Sequence, residues 1–376
     1  MIASKTDPKY MSLADAIEAD LRGGAWDGGK MPSVRGVALS HKVSVVTASR
    51  ALQVLRDKGL IHTIERSGCY RVPPPTADRW AILIRTTRGP WQRQTLTLVR
   101  SGFETLARRE SMHLEFDAFD IEGSPTVKEA QTAVARAKKD GVRGVFVLPS
   151  RASEADAAAD GAFLEGCDRA DMPVVLLERN LRSHDKLDRD IVAMDDLGAA
   201  RACTEHLLAQ GRKRLGIVVA SPISTHNDRI AGFLFALHAA RESQPPKQAT
   251  KLYDVVIRQP TDTPTKEAYA AVTDRISSEK LDGVVCYHDY TAMGVILELL
   301  QRGVRVPDDV ALIGFDNLPI GDAFSIGLST YGYPGEAMAE QAVRLMRDRL
   351  KYPDRAPVKI VVSGELILRG STERKR

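Results

Sequence analysis

The sequence predicts an α/β protein in two parts: an N-terminal winged helix-turn-helix, then a two-lobed domain built on doubly wound parallel sheets. Three observations predict it. Residues 32–72 carry two short helical patterns joined by a tight turn, then two extended runs around a glycine. Pro73-Pro74-Pro75 then interrupts the chain as a stiff spacer without backbone donors. From Trp80 onward, short β-rich runs alternate with amphipathic helices at the spacing of βαβ crossovers. The expected domains are 1–74 and 80–376, with a linker at 75–79.

In the first part, Leu13, Ile17 and Leu21 recur at four-residue spacing, so Tyr10 to Leu21 is expected to form a helix ended by Gly23-Gly24. Ser33 precedes a short helix through about Ser40. His41 to Ser44 supplies a tight turn whose final hydroxyl can cap the next helix. Ala48, Ala51, Leu52 and Leu55 then place one face of that helix on a small core and leave the opposite face to a partner. After Gly59, the runs Leu60–Ile64 and Cys69–Val72 around Arg66-Ser67-Gly68 have the pattern of a two-stranded wing.

Charge agrees with this division. Residues 28–64 hold six Lys and Arg (Lys30, Arg35, Lys42, Arg50, Arg56 and Lys58) against Asp57 alone. Residues 1–79 hold 12 basic and 8 acidic side chains, so the remainder is balanced, with 53 − 12 = 41 basic against 49 − 8 = 41 acidic. The whole surplus of +4 sits in the first part, where it suits phosphate attraction.

PSVR, KVSVVTASRAL, GLI and GCYRV together resemble the GntR family of bacterial regulators over about residues 10–72. The resemblance implies that Ser33 opens the first reading helix and that Arg35 reaches a base edge or phosphate. It implies that Ser44 and Thr47 hold the backbone at the recognition-helix start, and that Arg66 with Gly68 enters or tracks the minor groove. Val45 and Ser49 stand where the family commonly has arginine. Base readout is therefore expected to shift to Arg50, Gln53 and apolar contact of Val45 or Val46 with thymine methyls.

The second part reads as two rounds. The first is WAILI, LVRSGFETLARRE, HLEFDAF, VKEAQTAVARAKKDG, VRGVFVLP and MPVVLLE. The second is IVAMD, a helix to about Gln210, RLGIVVA, a helix from Ile230 to Arg241, LYDVVI, a helix to Ser278, DGVVCY, a helix from Tyr290 to Arg302, and VALIGFD. Ligands of such sheets bind beyond the carboxyl ends of the strands.

This part is similar to the sensor domain of the LacI/GalR family over about residues 80–372. The motifs are MPVVLLER, EHLLAQGRKRLGIV, NDRIAGFLFAL, HDYTAMG, VPDDVALIGFDN and ELILRGST. A GntR-type reader joined to such a sensor resembles arabinose-responsive repressors. The resemblance implies two lobes joined by three crossover strands, a homodimer, and a sugar or sugar-derivative effector. It also implies a cleft in which Arg229 and Asp316 form the central pair, with Thr225 beside them, Glu178 from the first lobe, and Thr87 from the loop after the first strand. Carboxylates accept from adjacent sugar hydroxyls while a guanidinium donates in a fixed fork. His288 stands where the family usually has asparagine and can titrate near neutral pH. The aromatic platform often found around residues 260–266 is not evident in QPTDTPT. A neutral pentose or hexose is the first expectation, and a phosphorylated or acidic sugar the second.

The implied partner is a two-fold operator in double-stranded DNA with half-sites about 10 bp apart or a multiple. Effector release of a repressor is the commoner family behaviour. Two alternatives stay open: a regulator with a degenerate sensor, and a small-molecule enzyme on the same fold. Against the enzyme, the chain has no G-x-G-x-x-G after the first strand, no P-loop and no G-x-S-x-G. No cofactor or metal is expected. Four separated cysteines (Cys69, Cys167, Cys203 and Cys286) without C-x-x-C pairing suit packed thiols in a reducing compartment. The absence of a 20-residue apolar run and of a secretory N-terminus points to the cytoplasm, away from membranes.

Overall fold

The computed structural model describes residues 9–22, 30–58, 60–64, 68–71, 79–84, 92–110, 112–115, 126–149, 154–180, 187–220, 223–243, 252–260 and 265–373. They divide into two compact units, residues 1–79 with 104–114, and residues 80–103 with 115–376.

The first unit opens with α1 (Lys9–Arg22), α2 (Val34–Ser40) and α3 (Val45–Asp57). They are followed by an antiparallel hairpin of β1 (Ile61–Ile64) and β2 (Gly68–Arg71), registered Ile61 to Arg71 and Ile64 to Gly68. Capping fixes both reader helices. Ser33 Oγ accepts the Gly36 N–H at 3.1 Å, and Ser44 Oγ accepts that of Thr47 at 3.1 Å. Between them Lys42 takes φ 52°, the left-handed residue that turns the chain. Ala48, Ala51, Leu52 and Leu55 of α3 meet Leu13, Ile17 and Leu21 of α1 in one apolar cluster, as their spacing predicts. Met31 N–H donates to Cys69 O at 2.9 Å, so the segment after α1 joins the wing.

Two six-stranded sheets follow in the chain. The first lobe contains β3 (Arg79–Ile84), α4 (Gln92–Glu110), β4 (His113–Glu115), α5 (Val127–Lys139), β5 (Val145–Leu148), α6 (Glu154–Arg169), β6 (Val174–Leu177) and β7 (Asp190–Met194). The second contains α7 (Asp196–Ala209), β8 (Arg214–Val219), α8 (Ser224–Glu242), β9 (Tyr253–Arg258), α9 (Lys266–Ser278), β10 (Gly283–Cys286), α10 (Asp289–Gln301), β11 (Ala311–Asp316), α11 (Pro319–Ala323) and β12 (Ser329–Gly332). The chain ends with α12 (Gly335–Lys351), β13 (Lys359–Val362) and β14 (Leu366–Ile367). Strand orders are β13-β7-β6-β5-β3-β4 and β14-β12-β11-β10-β8-β9. β14 pairs antiparallel, and the strand pairs of β3, β5, β6, β7 and β13, and of β8 to β12, are parallel.

Parallel strands covered on both faces read as continuous apolar runs. VFVL of β5 and VVLL of β6 are buried at every position. Because β13 returns to the first sheet and β14 to the second, the chain crosses between lobes three times: after β7, after β12 and after β13. The crossings are bonded to each other. Asp195 N–H donates to Val362 O at 2.9 Å, and Gly332 N–H to Glu365 O at 2.7 Å. A Cβ at Gly364 would lie 2.0 Å from Gly332 O, so only glycine fits there.

One sequence expectation is corrected, and two helices lie outside what the sequence reading assigned. α8 begins at Ser224 rather than Ile230, which moves Thr225 and Arg229 from a loop into the helix. Its first turns were hidden because Thr, His and Asn lower the apolar signal, although Thr225 and His226 are buried. α6 and α12 had not been assigned. α6 is rich in alanine, which packs without a strong apolar period.

Candidate functional site

The cleft site is assembled from strand ends and helix starts of both lobes. Glu178 follows β6 and takes φ 67°. Asp316 ends β11 at φ 99°, and Asn317 follows at φ 53°. Non-glycine residues adopt positive φ uncommonly, and three fall together at these strand ends. Arg229 lies two turns into α8, 8% exposed. Its Nε donates to Asp196 at 2.6 Å, its Nη1 to Tyr287 O at 2.5 Å, and its guanidinium lies 3.9 Å from the Phe315 ring centroid.

Arg229 and Asp316 were expected as the central pair, and the ion pairing is distributed differently. Asp196 accepts from Arg229 Nε, while Asp316 pairs with His288 Nε2 at 3.1 Å. Burial lowers the pKa of Arg229, but the carboxylates of Asp196, Asp316 and Glu178 more than offset it, leaving a net rise. Asp316 and Glu178 are thus near enough for their fields to act on the guanidinium. Asp196 was missed because Asp195-Asp196 reads as helix capping, a role Asp195 fills by accepting the Gly198 N–H at 2.9 Å. The strand-end position was the available signal.

Tyr333 was also missed. It lies in the second crossing, and its hydroxyl bonds to Glu178 of the first lobe. Burial, followed by the Glu178 charge, raises its pKa well above the ordinary phenol value, so it stays a hydrogen-bond donor.

His288 caps α10. Its Nδ1 accepts the Tyr290 N–H at 3.2 Å, which leaves the neutral ring's proton on Nε2 facing Asp316. The adjacent Asp289 has no exposed surface. It accepts the Leu318 N–H at 2.7 Å and lies 2.6 Å from Thr330 Oγ1. Burial and the charge of Asp316 push its carboxyl up to about 8, and its bonds to Leu318 and Thr330 brace the turn that carries Asp316. Thr225 is buried in the first turn of α8. Thr87, and most of the stretch searched for an aromatic platform, lie outside the described residues.

On the first unit, Arg35, Ser44, Val45, Ser49 and Arg50 are exposed, with Thr47 half-buried. Val45 is 50% and Val46 63% exposed, which is unusual for apolar side chains on a small core. Gly68 takes φ 123° at the wing, a conformation that favours glycine. Arg66 lies outside the described residues. Gln53, expected to share in base readout, and the neighbouring Lys58 both have partners within this unit. Gln53 Nε2 donates to Asp57 at 2.8 Å, and Lys58 Nζ binds Glu18 of α1 at 2.7 Å.

Residues 204–372 match the model of the periplasmic binding protein-like domain. Over about half its length the chain is similar to transcriptional regulators of the GalR kind. It is 25% identical over 376 residues to the arabinose metabolism transcriptional repressor of Geobacillus stearothermophilus, covering 98% of this chain and 99% of that protein. It is 33% identical over 173 residues to the regulator GalR of Salmonella typhimurium, covering 46% of this chain and 47% of GalR. The fold resembles a LacI family regulator from Enterococcus faecium solved with bound ribose, with TM-score 0.57, 20% identity, and coverage of 79% of this chain and 100% of that one. These relatives are transcriptional regulators rather than enzymes. Among the described residues no helix is long and apolar enough to cross a membrane, and no group of three or more potential ligands could hold a metal ion.

Proposed function

We propose that this chain is a cytoplasmic repressor that binds a two-fold DNA operator as a homodimer and is released when a neutral sugar enters its cleft. Residues 1–74 are the GntR-type reader, 75–79 the linker, and 80–376 the sensor and dimerisation domain.

The observation that carries the reading is the polar constellation around Arg229. Carboxylates of Glu178, Asp196 and Asp316 converge on one guanidinium beside a histidine whose Nε2 faces Asp316. Three carboxylates, those of Glu178, Asp196 and Asp316, act on one fixed cation. That surplus disfavours an anionic ligand and suits a ring of hydroxyls, which donate to carboxylates and accept from the fork. A phosphorylated or acidic sugar is accordingly the weaker reading. The relatives' names, which refer to arabinose metabolism and bound ribose, agree with a sugar.

Calorimetry of the purified chain against arabinose, ribose, galactose, cellobiose and their phosphates tests the assignment. Saturable heat with a neutral sugar, lost in Arg229→Met, supports it. Binding of a sugar phosphate alone overturns the neutral-sugar assignment. No binding by any compound favours the degenerate sensor.

In the reader, α3 would lie in the major groove, with Val45, Val46, Ser49 and Arg50 on its exposed start. Ser33, Arg35, Ser44 and Thr47 would fix register on the phosphates, and Gly68 with Arg66 would bring the wing to the minor groove.

A further inference from the structure

Tyr333 brings a phenol hydroxyl into the cleft from a crossing segment rather than from a lobe. It follows β12 of the second lobe and precedes α12, which packs on β6, β7 and β13 of the first. Its hydroxyl donates to Glu178. Burial, then the charges of Glu178, Asp316 and Asp196, raise its pKa, so the three carboxylates that act on Arg229 also act on this hydroxyl. Tyr333 and Arg229 thus face one polar centre, the first from the crossing and the second from α8.

Both ends of the Tyr333–Glu178 contact are fixed by backbone. On the crossing, Tyr331 Oη donates to Gly364 O at 2.9 Å, Gly332 N–H to Glu365 O at 2.7 Å, and Gly335 N–H to Tyr333 O at 3.0 Å. A Cβ at Gly102 of α4 would fall inside the radius of Gly335 O, so that helix and the crossing meet backbone to backbone. On the first lobe, Glu178 N–H donates to Val192 O at 2.8 Å. The next residue, Arg179, is buried and donates from Nε and Nη2 to Pro149 O at 2.9 and 2.7 Å. A hydroxyl held in this way loses little freedom when a ligand meets it.

A phenol hydroxyl carries one proton and two acceptor lone pairs. The proton goes to Glu178, and the raised pKa keeps it on the oxygen at neutral pH. An ionised carboxylate has no proton to give, so neither Asp196 nor Asp316 can serve the acceptor side in that form. What suits that side is a donor, and a sugar ring supplies donors.

We propose that Tyr333 Oη is an effector-contacting group, accepting a hydrogen bond from one sugar hydroxyl while it donates to Glu178. This rests on the neutral-sugar reading of the cleft. The bonds from sugar O–H to Tyr333 and from Tyr333 O–H to the Glu178 carboxylate run in one direction, and each polarises the next. Because Tyr333 stands on a segment that joins the lobes, one contact both recognises the effector and engages the crossing.

The test is calorimetry of the full chain with arabinose, ribose and galactose, and with analogues of each that lack one hydroxyl at a time. Native protein is compared with Tyr333→Phe, which keeps the ring and removes the oxygen, and with Tyr331→Phe, which removes the bond to Gly364 within the same crossing. Tyr333→Phe should weaken binding of the parent sugar by about 3- to 30-fold. For the analogue that lacks the hydroxyl bonded to Tyr333, native and Tyr333→Phe should bind alike, since a site built around a hydroxyl discriminates only against ligands that carry or lack it. Tyr331→Phe should shift parent and analogues by one common factor. An equal loss for the parent and every analogue in Tyr333→Phe shows that the hydroxyl only holds the crossing, and overturns the inference. Unchanged affinity overturns it, as does tighter binding, which makes Tyr333 a competitor of the sugar for Glu178. Each of these three results leaves the sugar reading standing. A native chain that binds none of the three sugars removes that reading, and this inference falls with it.

Discussion

His288 Nε2 lies 3.1 Å from the Asp316 carboxylate while Nδ1 of the same ring accepts the Tyr290 N–H at 3.2 Å. One side chain caps α10 and also orients the acceptor at the end of β11. A donor at this position is thus part of the cleft. Asparagine can cap and donate in the same way, so His288→Asn should keep sugar affinity within a few-fold. His288→Leu leaves Asp316 without that donor and should weaken binding by roughly 10- to 100-fold, the cost of about 1–3 kcal/mol for a buried unpaired acceptor. Calorimetry separates the two outcomes.

Arg229 and Asp196 form a buried ion pair, and breaking one side of it strands the other. Arg229→Met should cost about 3–5 kcal/mol of stability and abolish effector binding. Arg229→Met/Asp196→Leu should recover much of the stability without recovering binding. Denaturant unfolding alongside calorimetry checks both. Recovery of sugar affinity in the double variant would show that the pair only holds the fold.

Asp289 supplies a pH dependence. Its folded pKa, about 8, is raised above the ordinary carboxylate value of 3.8. Between those values the folded chain holds a proton that the unfolded chain has released. The stabilisation is therefore complete below pH 3.8 and is lost as pH rises through about 8, with a slope of up to about 1.4 kcal/mol per pH unit. Asp289→Asn, which can accept from Leu318 N–H and donate to Thr330 Oγ1, should flatten this limb in thermal melts between pH 5 and 9. An unchanged profile would place the charged form in the fold.

Ser44 links local structure to the reader. Ser44→Ala removes the cap on α3 and should destabilise the first unit by about 1 kcal/mol, measurable as earlier melting of its helices by circular dichroism. Ser44→Asp, which can still cap, should preserve stability and weaken DNA binding through repulsion of phosphate.

Much of this was legible in the sequence, and the reasons differ by element. Ala48, Ala51, Leu52 and Leu55 announced a buried helix face because a small core leaves one solution for that spacing. The runs VFVL and VVLL announced central strands because both faces are covered. Arg229, Asp316, His288 and Glu178 were placed in one cleft by resemblance, and the structure brings them into one electrostatic neighbourhood. The partner exchange that gives Arg229 to Asp196 was not legible, because it depends on which helix start faces which strand end after folding. Tyr333 and Glu178 are separated by 155 residues, a contact no local pattern reports. α8 was read six residues short because its polar first turn is buried by the cleft rather than by the core.

The central claim is that one chain couples a sugar in the Arg229 cleft to the DNA affinity of α3. The direct measurement is anisotropy of the full chain on the duplex from upstream of its own gene, titrated with and without saturating neutral sugar, in the native protein and in Arg229→Met. The account predicts that sugar weakens native binding at least tenfold, a coupling of about 1.4 kcal/mol, and that Arg229→Met binds the same DNA with no response. DNA affinity unmoved by every sugar, or an Arg229→Met chain that responds as the native one does, would contradict it.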